Sequence, residues 1–171
     1  ILEDLMTCIK NLCFVYLGII FLNISNAAVP QSKIIGPIAA DPVGHPSRNF
    51  IYSASAIELS SYGYIEEEYF IEGIANQYTT QGLETGHVID GGHRYLSRLI
   101  VRRPQEENFN GVVIIEWINV TGGPDKDIDW WYSGSHFVRN GYAYIAVSAQ
   151  QLGINTIKEW SPQRYSRLDT S

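Results

Sequence analysis

Hydrophobic and polar residues change their period along this chain, and each change marks an element. From Tyr64 onward the pattern alternates, with Ile65, Tyr69 and Ile71 interleaved with Glu66, Glu68, Phe70 and Glu72. A period of two predicts a half-exposed strand with its acids gathered on one face. Residues 95–103 alternate in the same way, Leu99 and Val101 against Arg98, Ile100 and Arg102, until Pro104 ends the run. Pairing of these arginines with the glutamates of the first strand is expected, and is worth little where it is exposed. Residues 76–94 contain Gly82, Gly86, Gly91 and Gly92. They are too glycine-rich for a helix and read as a long, mobile connection.

The alternation stops at residues 112–118, where Val112, Val113, Ile114, Ile115, Trp117 and Ile118 leave Glu116 as the one polar position. A nearly unbroken apolar run of strand length predicts a strand buried on both faces, as in a parallel sheet covered by helices. A helix follows, with Asp127 or Asp129 as N-cap. It runs through Trp130, Trp131, Phe137 and Val138 and stops at Asn140 and Gly141. Residues 142–147 read as a second buried strand, so 111–149 form a βαβ unit whose crossover should be right-handed. Ser161 followed by Pro162 opens a last short helix. The fold class is therefore α/β, with N-terminal antiparallel strands leading into a parallel βαβ unit.

Upstream the character differs. Residues 29–61 are rich in Pro, Gly, Ser and Ala without a sustained period, and read as an extended leader packed on the surface. Ahead of them Lys10 precedes an apolar run over 12–22, followed by Ser25, Asn26, Ala27 and Ala28. This is the pattern of a secretory signal peptide, with cleavage expected after Ala27 or Ala28. The run is shorter than the roughly 20 residues a bilayer-spanning helix needs. Met6 is the only methionine, so residues 1–5 are expected to lie upstream of the true start. The organisation is thus a signal peptide over 1–28, a leader over 29–61 and one α/β domain over 62–171, secreted and without membrane attachment after cleavage.

Composition narrows the chemistry. Both cysteines, Cys8 and Cys13, fall in the signal segment, which excludes a disulfide framework, a zinc–thiolate site and a cysteine nucleophile from the mature chain. The formal net charge of −6 comes from scattered acids, which argues against a nucleic-acid partner. In a parallel sheet, ligands gather at the carboxyl ends of the strands. Here those ends are Asn119, Val120, Thr121, Gly122 and Gly123 after the first apolar strand, and Ser148, Ala149, Gln150 and Gln151 after the second. Adjacent glycines let backbone N–H groups turn outward toward an anion; the plainer reading is a tight turn into the helix. Asn119-Val120-Thr121 also matches the N-glycosylation sequon, which would put a sugar at the mouth of such a site. His87, Asp90 and His93 lack a further ligand and a rigid surround, so solvated loop polars are expected and no metal site. Ser135 and His136 are adjacent on a helix, where successive side chains diverge, so they are not a dyad. Trp117, Trp130, Trp131 and Trp160 sit on predicted elements, which favours core packing over sugar stacking.

The ordered runs YIEEEYF, RLIVRRP, FNGVVIIEWINVTGG, Asp129-Trp130, GYAYIAVSAQ and residues 160–168 together resemble the N-terminal half of the secreted α/β-hydrolase domain proteins, over roughly residues 50–168. The resemblance implies an incomplete α/β-hydrolase fold, esterase-like acyl transfer to water, a small ester-like substrate and no cofactor. It places Asn119, Val120, Thr121, Gly122 and Gly123 in the loop that furnishes part of the oxyanion hole. The family's nucleophile sits in a G-x-S-x-G-like elbow, and no glycine here has a serine two positions on. Nucleophile, acid and base are therefore expected beyond Ser171, and no catalytic residue is assigned within the chain. Ser148, with Ala146 two positions before it, is the nearest substitute nucleophile, but Gln150 is too large for a tight elbow. The expected product is an inactive fragment of a secreted serine hydrolase, and the alternative is a non-catalytic secreted binding module. In the hydrolase strand order, 112–118 would be left as an open, aggregation-prone edge.

Overall fold

A computed structural model describes residues 31–79, 82 and 86–171. The expected signal peptide and both cysteines lie outside the described residues. Five strands form one sheet: β1 (Lys33–Ile35), β2 (Tyr64–Tyr78), β3 (Val88–Pro104), β4 (Val113–Trp117) and β5 (Ala143–Ser148). Their spatial order is β1-β2-β3-β5-β4. The first three junctions are antiparallel, and β4 pairs with β5 in parallel. Helix α1 (Ile128–Arg139) makes the crossover from β4 to β5, followed by α2 (Gln151–Trp160) and the short α3 (Pro162–Tyr165). Among the described residues no helix is long and apolar enough to cross a membrane.

The connection expected over 76–94 is largely strand instead. The β2·β3 ladder runs out to Tyr78↔Val88, with register shifts after Ala75 and Gln77. Gly92 and Ile89 are the residues the ladder skips, so the hairpin absorbs one of its glycines as an irregularity rather than melting. Antiparallel pairing with a continuous partner outweighs the low strand propensity of glycine, which no single-strand pattern reveals.

The direction of burial in β2 also reverses the expectation. Tyr64, Glu68 and Phe70 are buried while Ile65 is 38% exposed, so the face carrying the acids is the inner one. The reason lies in β3, which turns Arg98, Ile100 and Arg102 inward beside them, with both arginines fully buried. Carboxylates and guanidinium groups neutralise one another inside the fold, and aromatic and aliphatic residues pack around them.

Helices α1, α2 and α3 cover that same face. One core cluster gathers Tyr64, Ile100, Ile118, Trp130, Val138, Tyr144 and Ala146 beneath α1, with Ile51 and Leu59 from the segment read as a surface leader. A second gathers Phe70, Ile154, Ile157, Tyr165 and Leu168 beneath α2 and α3. Helix α2 was not anticipated, because Gly153, Asn155 and Thr156 dilute its apolar stripe to Ile154 and Ile157. Gly153 is nevertheless required, since a Cβ there would overlap the Asp125 carboxylate and crowd Val120.

The opposite face of the sheet has no helix on it among the described residues. β4 was expected to be buried on both sides; instead Ile115 is 66% and Trp117 67% exposed, and β4 forms an edge of the sheet. Of the four tryptophans, Trp130 is buried and Trp160 packs edge-on against Phe50 and Tyr52, with ring centroids 5.1 Å away in each case. Trp117 and Trp131 are exposed, against the expectation of core packing.

Candidate functional site

The carboxyl ends of β4 and β5 lie side by side, because the crossover through α1 returns β5 parallel to β4. The loop leaving β4 closes on itself. Asn119 and Lys126 exchange two backbone hydrogen bonds, 3.1 and 2.8 Å, which pin the base of the loop. At its start Thr121 N–H donates to Asn119 Oδ1 at 2.7 Å, and Gly123 N–H donates to Val120 O at 2.9 Å. Gly122 and Gly123 take φ values of +91° and +102°, which only glycine adopts without strain. The amides of Asn119, Thr121 and Gly123 are thus committed within the loop. Those of Val120 and Gly122 meet no protein acceptor among the described residues. Thr121 and Gly122 are exposed, and so is Asn119.

Behind the loop lies a buried ionic cluster that sequence reading placed only in part. Arg98 donates from Nε to Ser148 Oγ at 2.8 Å, from Nη1 to Glu68 Oε1 and Tyr52 O at 3.0 Å, and from Nη2 to Asp125 Oδ2 at 3.2 Å. Tyr52 and Tyr165 face its guanidinium at 5.6 and 5.5 Å. Burial works against the charge on Arg98. The Tyr165 oxygen and the carboxylates of Glu68 and Asp125 outweigh it, and hold the guanidinium more firmly protonated than usual. The second oxygen of Glu68 accepts from Arg164 Nε at 2.6 Å, so one carboxylate bridges two arginines. Arg164 Nη2 also lies 2.6 Å from that oxygen but makes no hydrogen bond, because the angle is unfavourable. Tyr165 donates to Glu68 at 2.8 Å, and burial, opposed by the Arg98 charge and helped by Glu68, pushes its hydroxyl up to about 12.

A parallel cluster secures the start of α1. Arg102 donates to Glu66 and Asp127, each at 2.5 Å, and stacks over the Trp130 ring at 4.4 Å. Asp127 occupies the N-cap position as expected, yet its side chain makes no capping bond, being held by Arg102 and Ser53. Glu116 of β4 takes that duty and accepts the Asp129 N–H at 3.1 Å, placing a carboxylate at the helix N-terminus. Burial raises the Glu116 carboxyl above its ordinary value, against the opposing hydrogen bonds from Tyr144 and the Asp129 amide.

Ser148 is fully buried, and its hydroxyl donates to Asp125 Oδ2 at 2.6 Å while accepting from Arg98. No histidine approaches it. The Ser–His–Asp trio that does come together is elsewhere, on the loop of Asp41, His45 and Ser47. Ser47 Oγ lies 2.8 Å from Asp41 Oδ2 and 2.9 Å from His45 Nδ1. Serine is the central member there, whereas a catalytic triad needs the imidazole between hydroxyl and carboxylate. Ser135 is exposed and makes no bond to His136, whose ring lies against Tyr142 at 5.8 Å. His93 pairs with Asp90 at 3.1 Å, while among the described residues His87 is engaged through its backbone alone, its N–H donating to Thr79 Oγ1 and its carbonyl accepting the Thr79 N–H.

An open cavity of about 310 Å³ sits at the strand ends on the helix-free face, lined by Trp117, Val147, Ser148, Ala149, Tyr95 and Thr170. Its wall is mostly apolar, with exposed Trp117 forming one side.

Strand order and the β4–α1–β5 crossover define a mixed α/β sheet with a glycine loop after β4. Residues 36–171 match the model of the alpha/beta hydrolase domain family, and the chain belongs to that family. No curated protein and no solved structure matches it.

Sequence reading located the 119–123 loop and the βαβ unit around it. It missed Asp125 and the inward turn of Arg98. The available signal was the repeated Arg-x-x-x-Arg of β3 opposite Glu66 and Glu68, a charge density too high for one solvated strand pair.

Proposed function

We propose that this chain carries the oxyanion-loop portion of a secreted serine hydrolase acting on a small ester-like substrate. Acyl transfer to water would use backbone N–H groups after β4 to hold the developing negative charge on the carbonyl oxygen. The observation that carries the reading is the pair of uncommitted amides, Val120 and Gly122, in an exposed glycine loop at the end of a parallel strand.

The same reading makes the 171 residues inactive by themselves. They hold no G-x-S-x-G, and the Ser148 hydroxyl is occupied by Arg98 and Asp125. With the p-nitrophenyl acetate assay, residues 29–171 are expected to show no turnover above buffer. Robust hydrolysis abolished by Ser148→Ala would overturn the placement of the nucleophile outside the chain.

Secretion rests on the Lys10 n-region, the apolar run and the small residues before Ala28. Expression of all 171 residues in a eukaryotic secretory host, with N-terminal sequencing of the medium, tests it. The Asn119 sequon is exposed, but a sugar there would crowd the loop, so the backbone role is preferred to glycosylation. The second reading, a non-catalytic secreted binding module, draws on exposed Trp117 at the mouth of the apolar cavity.

A further inference from the structure

We propose that Lys126 makes the 119–126 loop a binding site for a carboxylate, so that the ligand taken here carries an acidic group. The inference rests on the reading of this loop as the substrate loop and adds the chemical class that it recognises.

Three observations converge on it. The ammonium of Lys126 reaches back to Gly122, 3.4 Å from where a Cβ there would stand. Among the described residues it makes no ion pair and no side-chain hydrogen bond, while its own backbone is pinned to Asn119. The amides of Val120 and Gly122 in the same loop lack protein acceptors. A cation held beside uncommitted N–H groups is the donor set an anion requires.

The surroundings sharpen the assignment. The chain carries a net charge of −6, so its general field repels anions and a local cation is needed to reverse it. The adjacent acid, Asp125, does not neutralise Lys126, because its carboxylate turns inward to Arg98 and Ser148. Glycine at 122 leaves open the space beside Nζ that a side chain would fill. Lysine presents a point charge with three donors and suits a small carboxylate without demanding bidentate geometry.

The test is a ¹⁵N chemical-shift titration of residues 29–171 with sodium acetate, sodium chloride being withdrawn to hold ionic strength constant. The Val120 and Gly122 amide signals are expected to move to saturation. Lys126→Gln should weaken the apparent Kd about five- to tenfold, as expected for losing one close charge contact in a solvated loop. Lys126→Arg should retain it. Equal titration of wild type and Lys126→Gln, or no saturating shift at the loop, would overturn the proposal. The outcome is separable from the hydrolase reading, since acetate binding needs no nucleophile and ester turnover by this chain, which would move the nucleophile into it, leaves the expected shifts unchanged.

Discussion

Replacing Arg98 with methionine removes the donor at the centre of the buried cluster and leaves its acceptors in place. Glu68, Asp125 and Ser148 are each no more than 2% exposed, so water cannot replace the lost bonds without opening the fold. Breaking a buried ion pair from one side typically costs about 3–5 kcal/mol, because the partner charge is stranded. Glu68 keeps Arg164 and Tyr165, which places the expected loss toward the lower end; Asp125 keeps only Ser148, and its Oδ1 already has no partner. A domain of this size has roughly 5–15 kcal/mol in total, so the variant should unfold at clearly lower urea and melt about 6–20 °C earlier. Equilibrium urea unfolding followed by far-UV circular dichroism measures it. Arg103→Met is the control, since its pair with Glu67 is long, 3.3 Å, and the Arg103 side chain is 47% exposed; it should change stability by about 1 kcal/mol or less. Combining Arg98→Met with Asp125→Asn should recover part of the loss, because the stranded charge goes with its partner, while Glu68 keeps its charge for Arg164. If Arg98→Met costs no more than Arg103→Met, Arg98 is solvated in solution and the inward face of β2 and β3 has been misassigned.

The open edge supplies a second expectation. Val113, Ile115 and Trp117 present apolar side chains on an edge strand without a guarding charge on that face, so the purified chain should self-associate and Ile115→Lys should keep it monomeric in sedimentation velocity. A sharp, cooperative, monomeric melt of the unmodified chain would count against this edge. Glu116 supplies a pH signature. Its carboxyl is raised on folding, so its contribution is fully present below its unfolded value near 4.5 and declines as pH rises through the higher folded value. Glu116→Gln should flatten that decline in thermal melts taken from pH 4 to 7; an unchanged slope would assign the pH dependence to other groups.

The period of the apolar residues was enough to find β2, the core of β3, β4, α1 and β5. Asn140 and Gly141 marked the end of α1, and Ser161 with Pro162 marked the start of α3. These are local properties: alternation, a cap or a run of β-branched residues expresses backbone preference within a few positions. The order of the motifs also pointed to an α/β-hydrolase and to the loop of Asn119, Val120, Thr121, Gly122 and Gly123, from whose family pattern the absent G-x-S departs. The choice of inner face was not local. In β2, both Ile65-Tyr69-Ile71 and Tyr64-Glu68-Phe70 are plausible cores, and the arginines of β3 decided for the second by neutralising its acids. Nor was the exposure of β4 legible, because an apolar strand looks the same whether one face or two are covered. Only the placement of α1, α2 and α3 on a single face separated the cases. The site divides in the same way: the glycine loop and Lys126 four residues after Gly122 are written in sequence, whereas the inward carboxylate of Asp125 and the captured hydroxyl of Ser148 arise from distant segments meeting in space.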